Sequence, residues 1–300
     1  GSTFTDNKAG DSGGAVAVFE TGSYDLTYAI DDCEFDSNVV TPADRDTCVA
    51  GGAFYTEGTT VGTITNSEFI GNEADSDYYA NGGAVKVQFG GVATIENTTF
   101  TDNQAAQNGG AISLQADVDR NCEVFVINCT FEGNDAPAGG AISLLQNVGK
   151  SILVVEDSTF TDNEAFVGGA IYSDNRSDVE ITGTDFISNE ANNGGAIYAL
   201  SDLTVKDSTF DGNNVSESGG AIYASAKYTD VDVVINGSTF TNNKAGDAGG
   251  AVAVFETGDY DLTYDINDCK FEDNIVTPAD RDTCVAGGAF YTEGTTVGRS

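Results

Sequence analysis

The 300-residue chain has no histidine and no methionine, and only 12 lysines and arginines stand against 48 aspartates and glutamates. Each shortage excludes something. Without histidine, the commonest side chain for acid–base work near neutral pH is missing. No Cys-x-x-Cys spacing compensates for it, so a zinc site is not expected. The net charge of −36 excludes nucleic acid or an anionic membrane surface as an electrostatic partner. No stretch approaches the roughly 20 apolar residues of a membrane-spanning helix, so this segment is not expected to enter a membrane. A signal-peptide pattern is absent too, and together with the missing methionine this suggests a mature or cropped chain.

What the chain has in abundance is repetition. Phe-x-x-Asn occurs with Phe at 4, 35, 69, 100, 131, 160, 186, 210, 240 and 271, and every occurrence is followed by Gly-Gly-Ala. Those triplets begin at 13, 51, 82, 109, 139, 168, 194, 219, 249 and 287. Such a period marks a stacked-repeat architecture, in which no single unit buries its apolar face alone.

The alternations give side-chain direction. After each Gly-Gly-Ala comes a large apolar residue (Val16, Phe54, Val85, Ile112), then a mixed position, then a small or apolar one. That is the period-2 signature of a strand with one buried face. Five residues before each Phe from Phe35 onward stands Ile or Val, two before it Ser, Thr or Cys, and three before it Asp, Asn or Gly. The last group tolerates tight turns. One coil therefore reads as an Ile/Val strand, a sharp bend, a short Ser-x-Phe strand, an Asn turn, a variable loop and the Gly-Gly-Ala strand. Stacked at about 4.8 Å, such coils place Phe on Phe and Asn on Asn, the amides bonding along their ladder.

A longer period overlies the coil. Residues 1–62 align with 237–298 without a gap and differ at nine positions. The 236-residue offset spans eight coils, which predicts an axial repeat of roughly 38 Å. Both ends fall in mid-coil with no capping element, so the chain reads as a single β-solenoid domain cut from a longer array, or as a unit that stacks end to end. Acidic side chains one rung apart repel by about 0.9 kcal/mol even in water, so either salt or bound cations matter to an assembled state or, the favoured reading, the acidity simply keeps a long rod soluble.

Six cysteines suggest an oxidising compartment. Cys33, Cys129 and Cys269 share the inward site two before Phe and lie several coils apart, too far for a disulfide among themselves. Local pairings are left: Cys33–Cys48, Cys122–Cys129 and Cys269–Cys284, with free core thiols as the alternative. The 39–50 loop and its copy at 275–286 are about twice the usual length, and such loops on a rigid scaffold are where binding tends to sit. Asp44, Arg45 and Asp46, repeated as Asp280, Arg281 and Asp282, form the candidate interface between rods or a cation site, with a plain solvated insertion as the equal alternative. Other Asp clusters lack the glycine-rich nonapeptide of calcium-binding β-rolls, which leaves Ca²⁺ as a candidate and no other cofactor. Tyr172, Tyr198 and Tyr223 share one outward position on successive coils, an aromatic ladder suited either to sugar rings or to plain cross-strand packing. Five glycosylation sequons begin at Asn97, Asn128, Asn175, Asn214 and Asn236, with Asn175 the most exposed-looking.

The Gly109-Gly110-Ala111-Ile112 and Phe100-Thr101-Asp102-Asn103 motifs resemble those of chlamydial polymorphic outer-membrane proteins and related adhesin-like surface proteins. The resemblance covers essentially the whole chain. It implies an all-β, right-handed parallel β-helix of about ten coils, carried outside the cell on its surface, with structural or adhesive work. No autotransporter barrel is present, and the near-perfect duplication is more regular than an adhesin passenger needs, which favours a rod, fibre or sheath. The expected partners are further copies, end to end and laterally, with glycans or cell-surface proteins for an adhesin. Parallel β-helices also host pectate lyases and polygalacturonases. Against an enzyme, basic residues are scattered, the Gly-His-Gly and Arg-x-Lys elements are missing, and the Asp31-Asp32 pair loses its first member at Asn267. A polysaccharide lyase or hydrolase is therefore the distant alternative.

Overall fold

The computed structural model describes residues 1–20, 22, 26–41, 51–76, 80–118, 120–145, 149–277 and 287–294, and the backbone alone of 297–299. The chain winds into a parallel β-solenoid with four sheets of ten strands each, one strand from every coil in each sheet. Following the chain, a coil consists of a three-residue Phe strand, a short strand after the Asn turn, a Gly-Gly-Ala strand and an Ile/Val strand, as in Thr159–Thr161, Glu164–Val167, Ile171–Ser173 and Ser177–Thr182. Every pairing is parallel and links one coil to the next. The short strands were expected only as loop. They span two residues in most coils, for example Lys8–Ala9, and lengthen to four at Asp135–Ala138 and Glu164–Val167.

Registers match identical motif positions. Phe pairs with Phe from Phe100↔Phe131 to Phe210↔Phe240, and Ile/Val with Ile/Val, as at Ile95↔Val126 and Val205↔Ile235. The Phe rings stack with centroids 4.6–5.0 Å apart and planes within 11°. Those from Phe35 to Phe240 are wholly buried, each contributing on the order of 1.5–3 kcal/mol. Eight ring-to-ring steps separate Phe4 from Phe240 and total about 38 Å along the ladder.

The Asn at the end of each motif forms a second ladder that uses its whole hydrogen-bonding capacity. Asn163 Nδ2 donates to Asn189 Oδ1 (2.9 Å) and to Phe131 O of the preceding coil (3.1 Å). Its Oδ1 accepts from both the backbone N–H (3.1 Å) and Nδ2 (2.9 Å) of Asn134. No donor or acceptor of this buried carboxamide is left over, which is the condition for burying one without penalty.

Two left-handed columns flank the Phe strand. The residue three before Phe has φ between +48° and +63° at Asn66, Asn97, Asn128, Asp157, Gly183, Asp207 and Gly237. The residue two after it is left-handed as well, from Asp6 to Asp273. Asn, Asp and Gly bear this conformation at the least cost. In Gly-Gly-Ala the first glycine is left-handed (Gly168, φ +64°), and a Cβ on the second would run into backbone: at Gly169 it meets Gly195 O.

Candidate functional site

Asp44, Arg45, Asp46, Asp280, Arg281 and Asp282, with Cys48 and Cys284, lie outside the described residues. The other candidates can be placed. Cys33, Cys122, Cys129 and Cys269 are free thiols, which corrects the expected Cys122–Cys129 disulfide. The extended strand Cys122–Ile127 and the bend after it separate the two. Five residue steps of about 3.3 Å exceed the 7 Å reach of a disulfide.

Their environment supplies the physical reason for cysteine. The column two before Phe is a hydroxyl ladder. Ser158 Oγ donates to Glu156 O (2.8 Å) and accepts from Cys129 N–H (3.0 Å), and Ser208 Oγ donates to Lys206 O (2.8 Å). Cys33, Cys129 and Cys269 enter that ladder with a thiol, donating to Asp31 O, Ile127 O and Asn267 O at 3.1–3.3 Å. Burial pushes the Cys129 thiol up to about 11. Cys122 Sγ donates to Gln115 O (3.2 Å) and accepts from Gly90 N–H (3.3 Å).

The tyrosine ladder exists, but its faces are used up. Tyr198 and Tyr223 stack at 4.6 Å with planes 4° apart, Tyr172 joins at 5.8 Å and Phe255 follows at 5.0 Å. Successive rings cover one another's faces, so between Tyr172 and Phe255 no ring face is left for a sugar. Burial raises all three phenols above the ordinary tyrosine value. On the same outer face Lys86 is fully buried, its Nζ donating to Ser113 Oγ (3.1 Å) and Gln115 Oε1 (3.2 Å), a placement no sequence pattern signalled.

Among the sequons, Asn97, Asn128 and Asn236 are exposed and Asn214 is half-buried. Asn175 is buried, against expectation, because the tight 174–176 turn folds it inward. Asn128 Nδ2 donates to Asn97 Oδ1 (2.6 Å), so the first two belong to a surface amide ladder at the bend.

An open cleft lies where the sequence suggested only loop, along the outside of the short-strand sheet. Two cavities of about 670 and 390 Å³ share Glu164, Ala165 and Asn192 and so form one groove. One wall is a register column, Gln104↔Asp135↔Glu164↔Glu190↔Asn214↔Lys244. The outer carboxylates of its acidic run are held by amides: Gln104 Nε2 donates to Asp135 Oδ2 (2.9 Å) and Asn214 Nδ2 to Glu190 Oε1 (3.3 Å). The opposite wall carries Ala106, Pro137, Phe166, Asn192 and Ser216. Phe166 is 64 % exposed.

Among the described residues no group of three or more Cys, Asp or Glu is arranged to hold a metal ion.

A family model described as a right-handed β-helix region matches residues 1–297. Neither the curated proteins nor the solved structures give a match. With the matched span covering nearly every coil, the handedness of the winding is settled together with its kinship: the chain belongs to the right-handed β-helix family.

Proposed function

We propose that this protein is an extracellular structural β-solenoid, a surface rod, fibre or sheath component built by uniform coil stacking. The observation that carries this reading is the continuity of the ladders. Asn7 to Asn274 and Phe4 to Phe271 run through every coil without an interruption that would open a pocket into the core. The amide ladder is also directional, each Oδ1 accepting from the Asn of the preceding coil, which suits head-to-tail extension. Dense negative charge keeps such a rod soluble and makes lateral association depend on salt or cations. The likeness of the Gly-Gly-Ala-Ile and Phe-x-x-Asn motifs to those of adhesin-like surface proteins supports an extracellular location.

Electron microscopy of native material tests the reading. Long rods with layer lines near 4.8 Å and a strong axial repeat near 38 Å are expected. Short, isolated rods with capped ends would overturn it and leave the second reading, an adhesin. The groove along the short-strand sheet specifically favours that alternative.

A further inference from the structure

Most of the aromatic surface of this molecule is spent on itself. Interior Phe rings and outer Tyr rings are stacked face to face. Phe166, like Phe89, Phe125, Tyr228 and Tyr260, enters no aromatic pair among the described residues, and at 64 % it is the most exposed of these rings, standing in the wall of the groove. The exposure is built into the coil. The short strand is lengthened to four residues only at Asp135–Ala138 and Glu164–Val167, and those two strands pair with each other. The extra residues raise Pro137 and Phe166 as an apolar ridge on two adjacent rungs.

Glu164 lies two residues before Phe166 on the same strand, so both side chains leave the same face of the sheet. Asp135 and Glu190 flank Glu164 at register positions one rung to either side. None of the three makes an ion pair among the described residues. The Glu164 carboxylate also accepts no hydrogen bond there, whereas the carboxylates of Asp135 and Glu190 are steadied by Gln104 and Asn214.

An exposed aromatic face beside a free, oriented carboxylate suits one side chain best. A guanidinium stacks on an aromatic ring and pairs with a carboxylate in a planar fork at the same time, while its aliphatic stem covers apolar surface. Another copy of this strongly acidic chain is a poor occupant, because its own charge opposes entry. We propose that the groove is a docking site for an extended, arginine-bearing segment of another protein, with an arginine seated on Phe166 and paired to Glu164, and neighbouring basic residues facing Asp135 and Glu190. The site works from the side of the rod and does not depend on whether rods join into fibres.

The test is titration of the whole chain with a fluorescent Arg-Gly-Arg-Gly-Arg peptide and its lysine and citrulline counterparts, read by anisotropy at moderate salt. Saturable binding is expected in the order arginine, lysine, citrulline. Phe166→Ala and Glu164→Gln, both exposed and harmless to the core, should each weaken the arginine peptide by about tenfold or more, as loss of an anchor does. Glu180→Gln with Asp202→Asn removes two charges from the outside of the Ile/Val sheet and should change affinity by less than about twofold. Equal losses from groove and control variants would reduce the effect to diffuse charge and overturn the proposal. Non-saturable binding would do the same, as would a β-linked glucan oligosaccharide whose binding, unlike the peptide's, depends on Phe166.

Discussion

Removing one carboxamide from the middle of the amide ladder tests the physical basis of the rod most directly. Asn163→Ala deletes a group that makes four hydrogen bonds at 2.9–3.1 Å, all within buried structure. The neighbours cannot re-pair. Asn134 loses the acceptor of its backbone N–H and of one Nδ2 hydrogen, and Phe131 O loses a donor, while Asn189 Oδ1 keeps the Asn163 backbone N–H at 3.1 Å. Three orphaned buried groups at about 1–3 kcal/mol each, less what entering water recovers, give an expected loss of about 3–6 kcal/mol. Asn163→Asp keeps the shape and both accepted bonds but turns an acceptor toward Phe131 O and Asn189 Oδ1. It should be as damaging at neutral pH and partly relieved on acidification, when the carboxyl regains a donor. Stacked coils need not unfold in one step. The assay is therefore native-state hydrogen exchange at Asn134 N–H and its neighbours, alongside guanidinium unfolding. A loss below about 1 kcal/mol, the size seen at ordinary surface positions, would refute the claim that the ladder holds the coils in register.

The thiols give a chemical test: alkylation without reductant after unfolding should label Cys33, Cys122, Cys129 and Cys269, and an unlabelled Cys122–Cys129 pair would contradict the fold. In the native protein Cys129, with its thiol near 11, should resist alkylation at pH 8, while Cys129→Ser should keep stability within about 1 kcal/mol because Ser already fills this site in neighbouring coils. Gly169→Ala should abolish or severely weaken folding, since its Cβ would meet Gly195 O, with soluble yield and exchange protection as the readout. The Glu20 carboxyl is held below its ordinary value by the backbone N–H and then the hydroxyl of Thr59, with a smaller share from Arg120. A depressed carboxylate stabilises the fold above its unfolded pKa and loses that contribution as pH falls through the folded pKa. Wild type should therefore exceed Glu20→Gln in thermal stability at pH 7, and the gap should close below pH 4.5, the ordinary glutamate value; a gap that persists at low pH would refute the assignment.

By itself the sequence determined the winding. In a stacked coil each position meets its own equivalent at every rung, so Phe-x-x-Asn, Gly-Gly-Ala and the Asp/Asn/Gly bend had to recur, and recurrence can be read without coordinates. The Phe and Asn ladders, the coil boundaries and the eight-rung span of the long repeat follow from it. The short-strand sheet escaped, because two residues are too few to show alternation. The Cys122–Cys129 pair was misread as a bridge, because only the fold reveals that Ser, Thr and Cys present the same donor to the same carbonyl at 2.7–3.3 Å. Tertiary structure alone decided that the tyrosine faces are consumed by one another, that Asn175 turns inward, and that Phe166 stands free beside Glu164. The groove joins residues from Gln104 to Lys244, distant in sequence and adjacent only because parallel coils bring one column of each rung side by side.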